Sequence, residues 1–99
     1  MTTSTLELEI PEIAGLLLSD DTLTVDLADG RSLSAPIAWY PRLAAGSAAE
    51  RANWELVGRG HGIHWPDLDE DISVENLLAG HGSAERPASF KRWLAARGA

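Results

Sequence analysis

The sequence predicts an α+β fold: a small antiparallel sheet of two hairpins, four or five strands in all, with short helices and a C-terminal amphipathic helix. Short runs of alternating apolar and polar residues, separated by Asp-Asp and Asp-Gly, are typical of hairpin strands. Farther along, two serines stand where helices would start. The composition is 44% hydrophobic and 23% charged without cysteine, which indicates a globular domain that uses no disulfides.

The register of the first hairpin follows from its side-chain alternation. Leu23, Val25 and Leu27 share one face of the second strand. A two-residue loop at 20–21 places Leu18 opposite Leu23, so the apolar faces of the two strands agree. The predicted strands span 13–19, 22–27 and 32–37.

The second turn is predicted to be longer than its Asp-Gly pair suggests. A two-residue loop at 29–30 would oppose Val25 to Ser34 and mismatch the faces. A three-residue loop at 28–30 opposes Val25 to Leu33, with its glycine in the left-handed conformation. Pro36 then ends the third strand or marks it as an edge.

The middle of the chain predicts two short helices and a second hairpin. Pro41 opens a helical turn that Gly46 closes. Ser47 and Glu50 form a capping box for a helix over 48–53. The second hairpin carries Trp54 and Leu56 on one strand, a glycine-rich turn at 58–62, and Ile63 and Trp65 on the return strand, which Pro66 ends. Trp54 and Trp65 are expected in the core.

The acidic stretch HGIHWPDLDEDIS is read as a helix start that follows a solvated loop. Ser73 is the predicted N-cap, and Glu75 lies in the first turn, where the helix dipole favours negative charge. Ile72 and Leu77 occupy hydrophobic-staple positions, and Gly80 follows the helix.

Metal chemistry in the same stretch is disfavoured by spacing. Asp67, Asp69 and Asp71 match the first ligands of a calcium loop, but Ile72 stands where that loop needs glycine and Leu78 where it needs glutamate. His61 and His64 lie among glycines on an extended segment, where residues three apart face opposite sides. We therefore expect His64 to pair with a carboxylate, His61 to lie in a turn, and no metal or cofactor to be bound.

The chain also has no recognisable catalytic constellation. The glycine cluster GRGHG lacks phosphate-loop spacing, and no nucleophile elbow is present. A non-enzymatic protein is therefore predicted. The alternative is a small-molecule-binding or hydrolytic domain that uses a polar site of His61, His64, Asp67, Asp69 and Asp71.

Charge divides the chain into a domain over 1–80 and a basic amphipathic tail helix within 81–99. The first part has fourteen carboxylates against four arginines, a net charge of −10, whereas the second has a net charge of +3. Phe90, Trp93 and Leu94 share one face of the predicted helix, which is too short to be stable without a surface to pack on. That surface is the chain's own acidic body, a dimer mate or another protein.

A second aromatic patch is a candidate interface. Trp39, Tyr40 and Arg42 are adjacent, and aromatic residues and arginine are enriched at binding hot spots. The acidic body argues against direct nucleic-acid binding. The N-terminus resembles no signal peptide, and no apolar run is long enough to span a bilayer, so we expect a soluble cytoplasmic protein without membrane contact.

The blocks AWYPRL and GIHWPDLDEDISVENLL, with their spacing, resemble domain-of-unknown-function family 2442, a family of small bacterial proteins. The resemblance covers roughly 11–80 and leaves the tail outside. It implies an α+β domain built on an antiparallel sheet, but it supplies no catalytic residues. Some members look fused to helix-turn-helix domains, and others lie beside genes for small toxin-like proteins, which implies an antitoxin-like role. Residues 81–99 are too few for a complete helix-turn-helix, so we expect no direct DNA reading by this part of the chain.

The combined expectation is a protein-interaction module, an antitoxin-like partner of a small basic toxin-like protein, with a homodimer as a further arrangement. This hypothesis is supported by the acidic body, by the basic amphipathic tail, and by the toxin-like genes beside some members of the family that the chain resembles.

Overall fold

A computed structural model describes residues 10–98 of the 99-residue chain. The fold class is confirmed: two antiparallel sheets of three strands each are combined with short helices. In chain order the elements are β1 (Ile13–Leu18), β2 (Thr22–Leu27), β3 (Ser32–Pro36), a 3-10 turn (Ile37–Trp39), α1 (Pro41–Ala45), α2 (Ala48–Ala52), β4 (Glu55–Val57), β5 (Gly62–Trp65), β6 (Glu70–Ser73), α3 (Val74–Ala79) and α4 (Pro87–Gly98). Over the described range, no helix is both long and apolar enough to cross a membrane.

The first sheet has the order β1-β2-β3, and both predicted registers are confirmed. Leu18 pairs with Leu23, and Val25 pairs with Leu33, as the side-chain parity requires. Gly30 has a φ of 95°, so the longer second turn uses glycine where a left-handed residue is needed. Pro36 is the last residue of β3, which pairs with β2 alone among the described strands.

The second sheet, in the order β4-β5-β6, contains the strand that the sequence analysis missed. Residues Glu70–Ser73 were expected in a solvated loop, but they pair with β5 and bring the total to six strands. Acidic residues are depleted in strands, and Ile72 is the sole buried side chain of β6, so four residues carry too little alternation to be recognised. Asp69, with a φ of 49°, ends the turn that reverses the chain before β6.

The helix starts and stops follow the predicted capping residues. Ser47 and Glu50 form the complete capping box of α2, which ends at Ala52, one residue before the predicted end. The Ser73 side chain accepts a hydrogen bond from the Asn76 N–H at 3.1 Å and begins α3. Gly80 ends α3 with a φ of 75°.

The buried core joins both sheets to the short helices. Trp65 is fully buried, and its indole N–H donates to the Arg51 carbonyl at the end of α2 over 3.0 Å. Trp54 is half-buried and packs against the core, so the core prediction is confirmed for Trp65 and only in part for Trp54. Ile13 N–H donates to the Gly60 carbonyl at 2.8 Å and connects the two sheets. The largest fully buried side chains are Trp65, Leu23, Ile37, Leu43, Ile63, Leu68, Val25 and Val74.

The segment after α3 is tied to the body before α4 begins. The Ser83 N–H donates to the Trp39 carbonyl at 2.9 Å, and the Tyr40 hydroxyl donates to the His81 carbonyl at 3.4 Å. The Trp39 backbone comes so close to Gly82 that a Cβ there would lie 3.1 Å from its oxygen. These contacts hold residues 81–83 against the body a few residues before α4 begins. The division of the chain into a domain over 1–80 and a tail over 81–99 stays a prediction. Residues 1–9 of that domain lie outside the described range.

Candidate functional site

The candidate site is the surface of the body on which the C-terminal segment lies. We call it the tail-docking face and define it by Arg42 on α1, Glu50 on α2 and Asp69 in the turn between β5 and β6. That turn carries the buried Leu68, which packs against Gly46 between α1 and α2 and so joins the three elements. Gly46, between the two helices, comes so close to Leu68 that an added Cβ would lie 2.8 Å from its Cδ1.

Arg42 is the centre of the first contact with the tail. Its guanidinium donates two parallel hydrogen bonds to the Glu85 carboxylate, at 2.9 Å and 2.5 Å. A third N–H donates to the Asp69 backbone carbonyl at 3.2 Å. The side chains of Arg42 and Glu85 are only 16% and 10% exposed, so the pair is shielded from water. Such two-pronged, partly buried pairs are stronger and more specific than exposed ones.

The same pair shifts both ionisation equilibria in the expected directions. The hydrogen bonds from Arg42 lower the pKa of Glu85 against the opposing effect of burial, and those to Glu85 raise the pKa of Arg42. Ser89, in the first turns of α4, adds a hydrogen bond from its hydroxyl to Glu85 at 2.9 Å. The charged forms are therefore favoured on both sides of the contact.

Glu50 forms the second contact at the far end of α4. Its two carboxylate oxygens accept hydrogen bonds from Arg97 at 2.7 Å and 2.9 Å. One of these oxygens also accepts from the Ser47 backbone N–H at 2.9 Å, as the capping box requires. Arg97 first, and the Ser47 N–H second, lower the pKa of Glu50 to about 2. Glu50 is thus both a helix-capping residue and an anchor for the tail.

Trp93 lies between these two contacts along α4. The guanidinium carbons of Arg42 and Arg97 lie over its ring, 5.1 Å and 4.6 Å from the centroid. Phe90 stacks on Trp93 with the ring centroids 5.9 Å apart. Trp93 is half-buried against the core, whereas Leu94 is 38% exposed and no described residue of α4 is fully buried. The helix is therefore attached by one aromatic ring and two charge pairs.

Glu70 lies beside Arg42 and is the least satisfied polar group of the described chain. One carboxylate oxygen accepts from the Asp71 N–H at 3.1 Å, and the other is buried without a hydrogen-bond partner. Burial raises the pKa of Glu70. Burial also raises the pKa of Tyr40, and the nearby Glu70 charge adds to that effect. The cleft here is lined by Arg42, Asp69, Glu70, Asp71, Ser83, Glu85 and Ser89.

The residues of the alternative polar site have different partners, and two of them pair with each other. His64 and Asp71 are opposite each other in β5 and β6, with 2.8 Å between His64 Nδ1 and the carboxylate, so the predicted pairing is confirmed. His61 lies in the turn before β5. Asp67 accepts from the Asn53 amide at 2.9 Å, and Asp69 lies by Arg42. Within residues 10–98, no three acidic or histidine side chains are grouped to hold a metal ion.

The candidate interface residues are divided between surface and interior. Trp39 is 41% exposed, whereas the adjacent Tyr40 is buried in the core. Arg42 is engaged by Glu85. Their interaction roles, and those of Phe90, Trp93 and Leu94, stay predictions.

Sequence reasoning missed Glu50, Glu70 and Glu85 as members of the site. Glu50 was recognised through its capping box, but its pairing with Arg97, 47 residues away, leaves no local pattern. The net charges of the two parts of the chain were the available signal, because an acidic body and a basic tail attract each other.

The fold and the site define a small α+β domain with a charged surface that holds a helix. The chain belongs to the family described as Protein of unknown function (DUF2442), whose pattern matches residues 16–83 and ends before α4. Two solved structures are similar. A protein of unknown function from Rhodospirillum rubrum ATCC 11170 is 29% identical, with a TM-score of 0.67 over 78% of this chain and 95% of that one. An uncharacterized protein from Chromobacterium violaceum shares the fold at 21% identity, with a TM-score of 0.65 over 96% of this chain and 84% of that one. No curated protein matches.

Proposed function

We propose that this protein is a non-enzymatic interaction module whose acidic body binds a basic protein, and that it acts as the antitoxin-like partner of a small toxin. The observation that carries the proposal is the tail-docking face. On this face the body holds a basic amphipathic helix by charge pairs and an aromatic contact.

Charge supports a basic partner. The first eighty residues carry a net charge of −10, and the chain's own tail offsets only three of these charges. A surface with this excess attracts positively charged proteins and speeds their association. The residues of the alternative polar site do not converge, because His64 pairs with Asp71, Asp67 accepts from the Asn53 amide, and Asp69 lies by Arg42.

The experiment is purification of the tagged chain from its native host at its native expression level. We expect one positively charged protein to accompany it in a fixed ratio and to dissociate as the salt concentration is raised, since salt screens exposed charges. The purified partner should then bind the purified chain directly. Failure to recover a stable protein partner, or recovery of a partner without net positive charge, would contradict the proposal.

The antitoxin-like role has its own test. The partner is expressed alone and then together with the chain, and growth of the host is measured. Growth arrest by the partner alone, relieved by the chain, is expected. If the partner alone leaves growth unchanged, the antitoxin-like role is contradicted, whereas the proposal of an interaction module still stands.

A further inference from the structure

We propose that the tail-docking face is the binding site for a basic amphipathic helix of the partner, and that α4 occupies this site within the same chain as a displaceable substitute. This inference rests on the proposed function and specifies the surface and the kind of ligand. The contacts of α4 and of Glu85 just before it define that ligand: a helix with an aromatic residue near an arginine, preceded by a carboxylate placed to meet Arg42.

The attachment of α4 is of the kind that a competitor can replace. No described residue of the helix is fully buried, and Trp93 is its one contact with the core cluster. Two charge pairs add to this contact, Arg42 with Glu85 just before the helix and Arg97 with Glu50 near its C-terminal end, and both arginines also lie over the Trp93 ring. A helix of this length is marginal without a surface, so its order depends on these few groups.

The face itself belongs to the part of the chain that the family pattern covers. Arg42, Glu50 and Asp69 all lie within residues 16–83, whereas α4 lies beyond that range. A partner helix that supplies the same groups would meet Arg42 and Glu50 in the geometry that Glu85 and Arg97 now use. The outward-facing Lys91 and Arg92 make no ion pair with any described residue, so they contribute little to the attachment.

Displacement of α4 by a partner helix is a competition for one site, so the two binding equilibria are thermodynamically linked. A ligand that competes with an internal segment binds with an affinity reduced by the fraction of molecules in which the site is open. A change that weakens α4 and leaves the body intact must therefore strengthen binding of the external helix.

The test uses the full chain and a synthetic fluorescent peptide of residues 85–98 as the probe. Dissociation constants are measured by fluorescence anisotropy for the wild-type protein and for the variants Arg97→Glu and Arg97→Ala. Lys91→Glu is the matched control, because it makes the same charge change on the same helix at an exposed position without an ion pair. Circular dichroism checks that each variant is folded.

We expect the Arg97→Glu chain to bind the peptide roughly threefold to tenfold more tightly than wild type, with Arg97→Ala between them. Lys91→Glu should bind as wild type does. A peptide that itself carries Arg97→Glu should lose binding to every chain, because it cannot pair with Glu50. If Arg97→Glu is unfolded, the comparison with wild type is made with Arg97→Ala, because this variant removes the ion pair without introducing a negative charge.

Equal peptide affinity for Arg97→Glu, Lys91→Glu and wild type overturns the inference. So does light scattering that shows a wild-type dimer that Arg97→Glu abolishes and Lys91→Glu retains, since the face would then hold the tail of a second copy. If the native purification recovers no basic partner, the proposed function is contradicted, but the peptide affinities are unaffected because they are measured with the purified chain alone. The two failures are therefore distinguishable.

Discussion

Arg42 and Glu50 show how single residues serve two purposes in this protein. Glu50 caps α2 and anchors Arg97, while Arg42 connects Glu85, the Asp69 carbonyl and the Trp93 ring. Local sequence rules identified the capping role, because both partners lie within four residues. They missed the long-range role, because nothing in the sequence around Glu50 specifies an arginine 47 positions later.

Glu70 allows a direct test of the electrostatics at this scale. Its folded-state pKa is raised by burial, so its contribution to stability is fully present below the ordinary value and is lost as pH rises through the raised one. Glu70→Gln removes the buried charge. We expect a higher melting temperature than wild type at pH 7, a difference that shrinks as pH falls from the raised pKa toward 4.5, the ordinary value for this group, and little difference below it.

Differential scanning fluorimetry at several pH values measures this effect. Glu75→Gln is the control, because Glu75 is exposed in the first turn of α3 and its change should give no increase. A lower melting temperature for Glu70→Gln at pH 7 would show that the Glu70 charge is needed beside Arg42.

At the scale of elements, the parts of the fold that could be predicted are those with short-range causes. Side-chain parity determined both registers of the first sheet, serine caps located the starts of α2 and α3, and Gly80 located the end of α3. The strand β6 could not be predicted, because its pairing with β5 overrides the poor strand propensity of Glu70 and Asp71. The strand conformation of residues 70–73 therefore depends on pairing with β5 and not on the local sequence.

The cap of α3 is expected to contribute measurably to stability. Ser73→Ala removes the acceptor for the Asn76 N–H, and a lost N-cap costs about 0.5–2 kcal/mol in the free energy of unfolding. Ser73→Asp retains a good capping side chain and should remain close to wild type. Urea denaturation provides the comparison. Equal losses for the two variants would show that Ser73 matters for a reason other than capping.

At the scale of the whole molecule, charge separation organises the protein. The acidic body and the basic tail face each other across Glu50 and Arg97, and Arg42 with Glu85 adds a shielded pair at the start of the tail. The sequence predicted the tail helix and left its surface open among three choices. Composition could not distinguish the chain's own body, a dimer mate and another protein, because an acidic surface on any of them would attract the same basic helix.

The central claim is that the charge pairs flanking Trp93 hold α4 on the body. Amide hydrogen exchange of residues 90–97 measures this attachment directly, since exchange reports local opening. We predict that Arg97→Glu speeds exchange throughout this segment while leaving β2 and β5 unchanged, and that Lys91→Glu, the same charge change at an exposed position of the same helix, leaves exchange as in wild type. Unchanged exchange in Arg97→Glu, or an equal acceleration in Lys91→Glu, would contradict the account.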